Sequence, residues 1–372
     1  MRHRYACAHT LTTHPPTFVL FDYLTTIPAE VGELVRWEVM AEGNRLFCGD
    51  NLEVLRCDIK DESVDLCYVD PPFHSQRNYQ ARARVQAFTD TWSWDQTAES
   101  AFQSILGNPG GLYPLKMMRL VAGLEPVLGR GSLLAYLVST AVRLTEIDRV
   151  LRPSGSLFLH CDPSASHYLK LLLDTIFCAP GGGFRNEIVW CYSHGGRSRQ
   201  WFGRKHDIIF FYGKSDRCHF DASSVRVEMR SGTHSFGGKL LTGEDGRKYR
   251  LVYGTRNSHG VARYYKYYLD TGKAPEDWWA DINSLQASSA ERTGYPTQKP
   301  EALLQRILGA CSRPGDTVLD AYCGSGTTLV AAERSGRSWI GIDLAPQAIA
   351  VTIERLKSAF GSEVMDRLRV RQ

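Results

Sequence analysis

Two groups of residues in this chain have the types and spacing that chemistry needs. In Asp320-Ala-Tyr-Cys-Gly324-Ser-Gly326-Thr327-Thr328 an apolar strand runs into a glycine turn and then a helix, and Asp343 closes a second strand 23 residues after Asp320. Glycines let a backbone approach a ligand, and an acidic group ending the second strand can accept from both hydroxyls of a ribose. Leu329 stands where a third glycine would complete G-x-G-x-x-G. A nucleoside without a pyrophosphate therefore fits better than a dinucleotide. A tight strand-to-helix turn with no ligand is the plain alternative. The other group is Asp70-Pro71-Pro72-Phe73, directly after the apolar run 63–69. Its carboxylate falls at the C-terminal lip of a strand, where parallel sheets bind ligands. The Pro71 carbonyl is an acceptor whose direction the ring of Pro72 restricts. Together they can accept both hydrogens of an exocyclic amine and aim its lone pair, while Phe73 offers a stacking face.

The elements that must position these groups alternate. Strands are predicted at 45–48, 63–69, 156–160, 187–192, 207–212, 316–320 and 338–342. Helices are predicted at 51–55, 133–151, from a Ser164 cap to 177, and at 300–310, 327–335 and 346–360. Strands alternating with helices argue an open parallel sheet. Four parts follow: an N-terminal extension (1–43), a catalytic part (44–212) with a long mobile loop at 74–112, an inserted module (213–290), and a cofactor-binding part (291–372). Trp92 and Trp94 lie in the long loop, either lining a target pocket or anchoring it in the core.

Length and charge narrow the class. The chain has 372 residues, 43% of them hydrophobic and 23% charged, as in ordinary globular proteins, which excludes a disordered or fibrous chain. The run 131–142, between Arg130 and Arg143, is too short to span a bilayer. The apolar stretch 17–24 contains Asp22 and precedes no cleavage pattern, so no signal peptide and a cytoplasmic location are expected. Ten cysteines include no C-x-x-C pair, so no metal site is expected. His160-Cys161-Asp162 is expected to be a strand end packed on the next helix rather than a catalytic cluster. The net charge of +4 is uneven: residues 185–273 hold 17 Lys and Arg against 8 Asp and Glu. Cations interleaved with aromatics suit phosphate contact and base stacking, unless those aromatics simply form the core of a solvated insertion. His194, Arg197, Arg199, Arg204 and Lys205 form either a DNA-facing or a merely solvated basic loop. Arg247 and Lys248 belong to the same basic stretch.

Asp70-Pro-Pro-Phe73, the Gly-Ser-Gly-Thr-Thr loop, Gly49-Asp50-Asn51 and Tyr295-Pro-Thr-Gln-Lys-Pro300 together resemble the amino-group DNA methyltransferases that use S-adenosylmethionine. With the catalytic motif first and the cofactor loop last, the order is similar to that of their circularly permuted β group. The resemblance covers roughly 44–215 and 290–360. It implies a Rossmann-like α/β fold with a seven-stranded sheet and an inserted target-recognition module. It implies cofactor contacts from Asp50, Thr297, Gln298, Lys299, Asp320, Tyr322, Gly324, Gly326, Thr327 and Asp343, and a catalytic set of Asp70, Pro71, Pro72 and Phe73. Ala321 and Tyr322 replace the family's usual Pro and Phe, and a tyrosine ring can still lie against the cofactor. The implied substrate is double-stranded DNA, with a homodimer and a cognate restriction nuclease as further partners. An Asp at the head of the catalytic motif favours adenine N6 over cytosine N4. No Pro-Cys dipeptide occurs, against cysteine-nucleophile methylation of cytosine carbon 5. A non-catalytic DNA-binding protein and an RNA or protein-amide methyltransferase are the remaining alternatives.

Overall fold

A computed structural model describes residues 43–371, apart from 75–77, 81–85, 194–198, 228–239, 255 and 257–259. The extension expected at 1–43 lies outside the described residues except for Gly43. The first part comprises β1 (Asn44–Cys48), α1 (Asn51–Asp58), β2 (Val64–Val69), a hairpin of β3 (Asn78–Gln80) and β4 (Gln86–Thr89), α2 (Gln96–Gly107), α3 (Leu115–Leu128) and α4 (Ser132–Val150). It continues with β5 (Leu151–Cys161), α5 (Ser166–Ile176), β6 (Gly183–Cys191) and β7 (His206–Gly213). The inserted stretch holds β8 (Leu240–Thr242), β9 (Lys248–Tyr253), β10 (Tyr264–Tyr268) and β11 (Trp278–Trp279). Then come α6 (Glu301–Cys311), β12 (Thr317–Asp320), α7 (Thr327–Arg334), β13 (Ser338–Asp343), α8 (Pro346–Phe360), α9 (Glu363–Asp366) and β14 (Leu368–Arg371).

The main sheet runs β11-β6-β7-β5-β2-β12-β13-β1-β14. Its pairings are parallel except those of β7, which is antiparallel to both β5 and β6. The seven strands from β6 to β1 form the expected sheet, and β11 and β14 extend it to nine. The permutation is visible in this order: the late strands β12 and β13 fit between the early strands β2 and β1. Strand periodicity feeds two cores. On β2, Cys67 and Val69 pack with α1–α5 on one face, whereas Leu66 and Tyr68 pack with α6–α9 on the other. Both faces are covered, which is why this strand reads as a continuous apolar run.

Much of the segment read as a long loop, 74–112, is regular. Asp95 caps α2 by accepting from the Ala98 amide at 2.9 Å, and Asn108 ends the helix in the left-handed region. β5 follows α4 without a linker, so its strand starts five residues before the expected position. Ser164 bonds Asp162 instead of capping α5. The insertion is β-rich: β8, β9 and β10 form a separate antiparallel sheet, and β11 returns to the edge of the main one.

Candidate active site

β12 lies between β2 and β13, and the chain leaves β12 towards β13 but leaves β2 towards β5. Such a switch in direction opens a crevice beyond the strand ends. Asp320 pairs in register with Tyr68, which brings Asp70, two residues on, to the same lip. A cavity of about 680 Å³ opens there, lined by Asp50, Asp70–Phe73, Trp92, Arg143, Tyr295–Lys299, Asp320–Ser325, Thr327 and Asp343 among others.

At the β2 end of the cavity, two prolines stop the strand, since neither can donate to a ladder. Asp70 is ion-paired to the Lys299 ammonium, which also stands 5.3 Å from the centre of the Phe73 ring. Behind Phe73, at 5.9 Å, is the fully buried imidazole of His160. Its Nδ1 lies 2.8 Å from the Tyr68 hydroxyl and its Nε2 3.2 Å from Asp207, which also accepts from the Tyr192 hydroxyl at 3.0 Å. Trp190 meets the imidazole edge-on at 5.6 Å. His160 is thus a strand-end residue in the core, but its partners come from β2, β6 and β7 rather than from the next helix, and it backs the Phe73 ring within a polar network. Burial works to raise the Asp207 carboxyl, yet hydrogen bonds from His160 and Tyr192 hold it below its ordinary value. The Tyr68 phenol is pushed well up by burial and by Asp70, Asp320 and Asp207.

At the other end, buried Asp320 accepts from the Tyr322 amide at 3.0 Å and from the Thr328 hydroxyl. Burial pushes its carboxyl up to about 7, and Asp70 and Asp343 add to the effect. Asp343 accepts from the amides of Gly324 (2.8 Å) and Ala345 (2.9 Å), and burial raises it too. Asp50 caps α1 through the Leu52 amide at 2.7 Å. Arg143 of α4 fixes this corner, donating to Asp50 at 2.9 Å and to Asn51 at 2.6 Å, while Asn51 donates to the Ala321 carbonyl at 2.7 Å.

Residues 64–354 match the N6/N4 methyltransferase family, described as DNA methylase. The chain belongs to this family. It is 25% identical over 335 residues to the DNA adenine methyltransferase YhdJ of Escherichia coli K12, covering 89% of each chain. It is also 25% identical over 317 residues to the type II methyltransferase M.HpaI of Haemophilus parainfluenzae, covering 85% of this chain and 75% of the relative. Its fold resembles that of the solved cytosine-N4-specific PvuII DNA methyltransferase, with a TM-score of 0.51 at 14% identity, over 88% of this chain and 95% of the other. The protein is a DNA methyltransferase, and its family takes the methyl group from S-adenosylmethionine.

The cavity walls of this methyltransferase suit that donor. Two carboxylates, the buried Asp320 and the half-buried Asp343, face a cleft large enough for a nucleoside and are both raised by desolvation, so a cationic ligand relieves them. Of the residues expected to hold the cofactor, Asp50, Thr297, Gln298, Lys299, Asp320, Tyr322, Gly324, Thr327 and Asp343 all line the cavity. Gly326 stands apart from these nine. It does not line the cavity; it sits at φ +74° before α7, where a Cβ would stand 2.7 Å from the Thr352 side chain. Its role is to let α7 pack on α8. Lys299 lines the site but is engaged with the Asp70 carboxylate, and the Gln298 side chain braces its own loop through Thr293 and the Glu291 carbonyl.

Arg143 and Tyr295 were missed as site residues: Arg143 reads in the sequence only as the end of an apolar stretch. Trp92 lines the cavity and donates to the Phe73 carbonyl at 3.3 Å, whereas Trp94 packs on Phe102 outside it. Both tryptophans also pack against the core, so both anchor the segment, and of the two Trp92 reaches the cavity wall. Of the basic residues, Arg197 lies outside the described residues. Arg199 and Arg204 are exposed, and Lys205 donates to the Ser193 carbonyl at 3.0 Å. Lys248 is exposed on β9, but Arg247 is held by Asp270 at 2.7 and 2.8 Å and stacks over Tyr268 at 4.1 Å. Part of the cation-aromatic pattern is thus the insertion's own packing. Among the described residues no cluster could hold a metal ion, and no helix is long and apolar enough to cross a membrane.

Proposed function

We propose that this DNA methyltransferase places its methyl group on the exocyclic N6 of an adenine turned out of the duplex. The observation that carries the reading is the position of Asp70 and Pro71, consecutive residues at the switch point that line the same cavity as Asp320 and Asp343. A base inside a duplex cannot reach such a recess, and turning it out costs a few kcal/mol, roughly. Asp70 and Pro71 then accept the two amine hydrogens, drawing the nitrogen lone pair out of the ring, and Phe73 stacks on the base. Asp320, Asp343, Asp50, Tyr295, Tyr322 and Thr297 hold the cofactor, which when bound supplies a methyl group on a cationic sulfur. The chain's own contribution is then orientation and a fixed electrostatic field. The Asp at the head of the motif and the kinship with an adenine methyltransferase support adenine as the base.

Arg199, Arg204 and Lys248 are the exposed cations we assign to the DNA backbone, with the insertion reading the sequence. Kinship with type II enzymes such as M.HpaI supports a restriction nuclease as companion. The site is tested by Asp70→Ala. Methyl transfer to DNA should disappear while S-adenosylmethionine binding, measured calorimetrically, stays within about threefold, because Asp70 meets the base and not the cofactor. Parallel loss of both would make Asp70 a cofactor or folding residue. The identity of the base is read from the methylated nucleoside.

A further inference from the structure

Lys299 reaches Asp70 across 229 positions of sequence, and the two side chains are only 9% and 17% exposed. Its ammonium donates to the carboxylate that the target amine must use, and it stands near the face of the ring on which the base must stack. Its backbone carbonyl accepts from the Thr327 hydroxyl at 3.1 Å, so the same residue is anchored to the start of α7. Other charges converge on this point. Asp320 from β12 and Asp70 repel one another in the crevice. Tyr68 of β2 and Cys161 of β5 share the field of Asp70, and Asp207 of β7, bonded to His160, feels Lys299.

We propose that Lys299 is the positioning residue of Asp70, holding the carboxylate aimed until the target amine arrives and takes its place. This rests on the reading of Asp70 as acceptor of an exocyclic amine. An ammonium-carboxylate bond is stronger than one from a neutral amine. Only a base that also reaches the Pro71 carbonyl and stacks on Phe73 offers enough to displace it. Lys299 thereby makes the site selective for a fully seated base.

The test compares Lys299→Met and Lys299→Arg with the wild type. Two quantities are measured: kcat and KM on DNA, and the environment of the Asp70 carboxylate in the DNA-free protein. The second is read as the carboxylate infrared band that Asp70→Asn removes. In Lys299→Met that band should shift, because the ammonium hydrogen bond to the carboxylate is lost. There kcat should drop about tenfold or more, as loss of an aligned acceptor requires. S-adenosylmethionine affinity should stay within about threefold, and Lys299→Arg should restore the band and much of kcat. An unmoved band overturns the proposal, as does an unchanged kcat. A tenfold loss of cofactor affinity with an unmoved band would make Lys299 a cofactor ligand instead. A wild type that methylates no DNA but shows the carboxylate shift keeps the role of Lys299 and removes the reading of the base.

Discussion

Gly324 and Gly326 sit two residues apart in one turn, and the structure gives them separable roles. Both have positive φ, +52° and +74°. Alanine at either position therefore incurs a left-handed penalty of roughly 1–2 kcal/mol. At Gly326 the new methyl would meet Thr352 Cγ2 at 2.7 Å and Oγ1 at 2.8 Å. Thr352 is fully buried and bonds the Gly324 carbonyl at 3.1 Å, so it cannot swing away without losing that bond. Overpacking of this kind adds about 1–3 kcal/mol. Gly326→Ala should therefore destabilise the protein by roughly 2–5 kcal/mol, a large part of a typical folding free energy. At Gly324 the nearest atom to a new methyl is Tyr295 Cε1 at 3.4 Å, ordinary contact, but on the cavity wall. Gly324→Ala should lose only about 1–2 kcal/mol of stability, yet weaken S-adenosylmethionine binding tenfold or more, approximately, by filling space meant for ligand. Denaturant unfolding and calorimetric binding on both variants decide the matter. If Gly326→Ala keeps full stability and loses the cofactor, Gly326 is a ligand contact and the packing argument fails.

Other consequences are as concrete. The raised Asp320 carboxyl sets a sign for the pH dependence of cofactor-free stability. Its folded-state value of about 7 lies above that of the unfolded chain, so its stabilising contribution is full at acid pH and is lost as pH rises towards 7. Asp320→Asn should flatten that decline in thermal midpoint between pH 4 and pH 7, roughly; an equally steep decline would show that Asp320 is not the titrating group. Arg204→Ala and Lys248→Ala should weaken DNA binding in low salt and lower the salt slope of log K by about one each, as loss of a phosphate contact requires. Arg247→Ala, which breaks the pair with Asp270, should instead lower the stability of the insertion. A salt slope reduced only in Arg247→Ala would reverse that assignment.

The parts legible in the sequence were those whose signal is local. The β12-turn-α7-β13 unit declares itself by an apolar strand, two glycines and an acidic end, and its bounds match to within a residue or so. The prolines after Asp70 likewise mark a strand end wherever they occur. Contacts made by tertiary folding left no such mark. Nothing near Lys299 in sequence points to Asp70, and nothing around Arg143 points to Asp50 and Asn51. In the segment 74–112, aromatic and polar residues hid α2, although Asp95 as its cap and Asn108 at its end were signals that could have found it. α3 carries Gly123 and Pro126, which break the usual helical composition, and it forms because Met117, Val121 and Leu124 bury one face. The two edge strands β11 and β14 are short and take their structure from their neighbours. Gly326 shows the limit of motif reading. A glycine in a ligand loop can serve the packing of the helix behind it.

The central claim is that Asp70 and Pro71 direct a methyl group onto the amino nitrogen of adenine. Unmethylated genomic DNA incubated with the protein and isotope-labelled S-adenosylmethionine, digested to nucleosides and analysed by mass spectrometry, tests it most directly. The account predicts labelled N6-methyladenine from the wild type and none from Asp70→Ala. Labelled N4-methylcytosine in its place, or N6-methyladenine formed undiminished by Asp70→Ala, would contradict it.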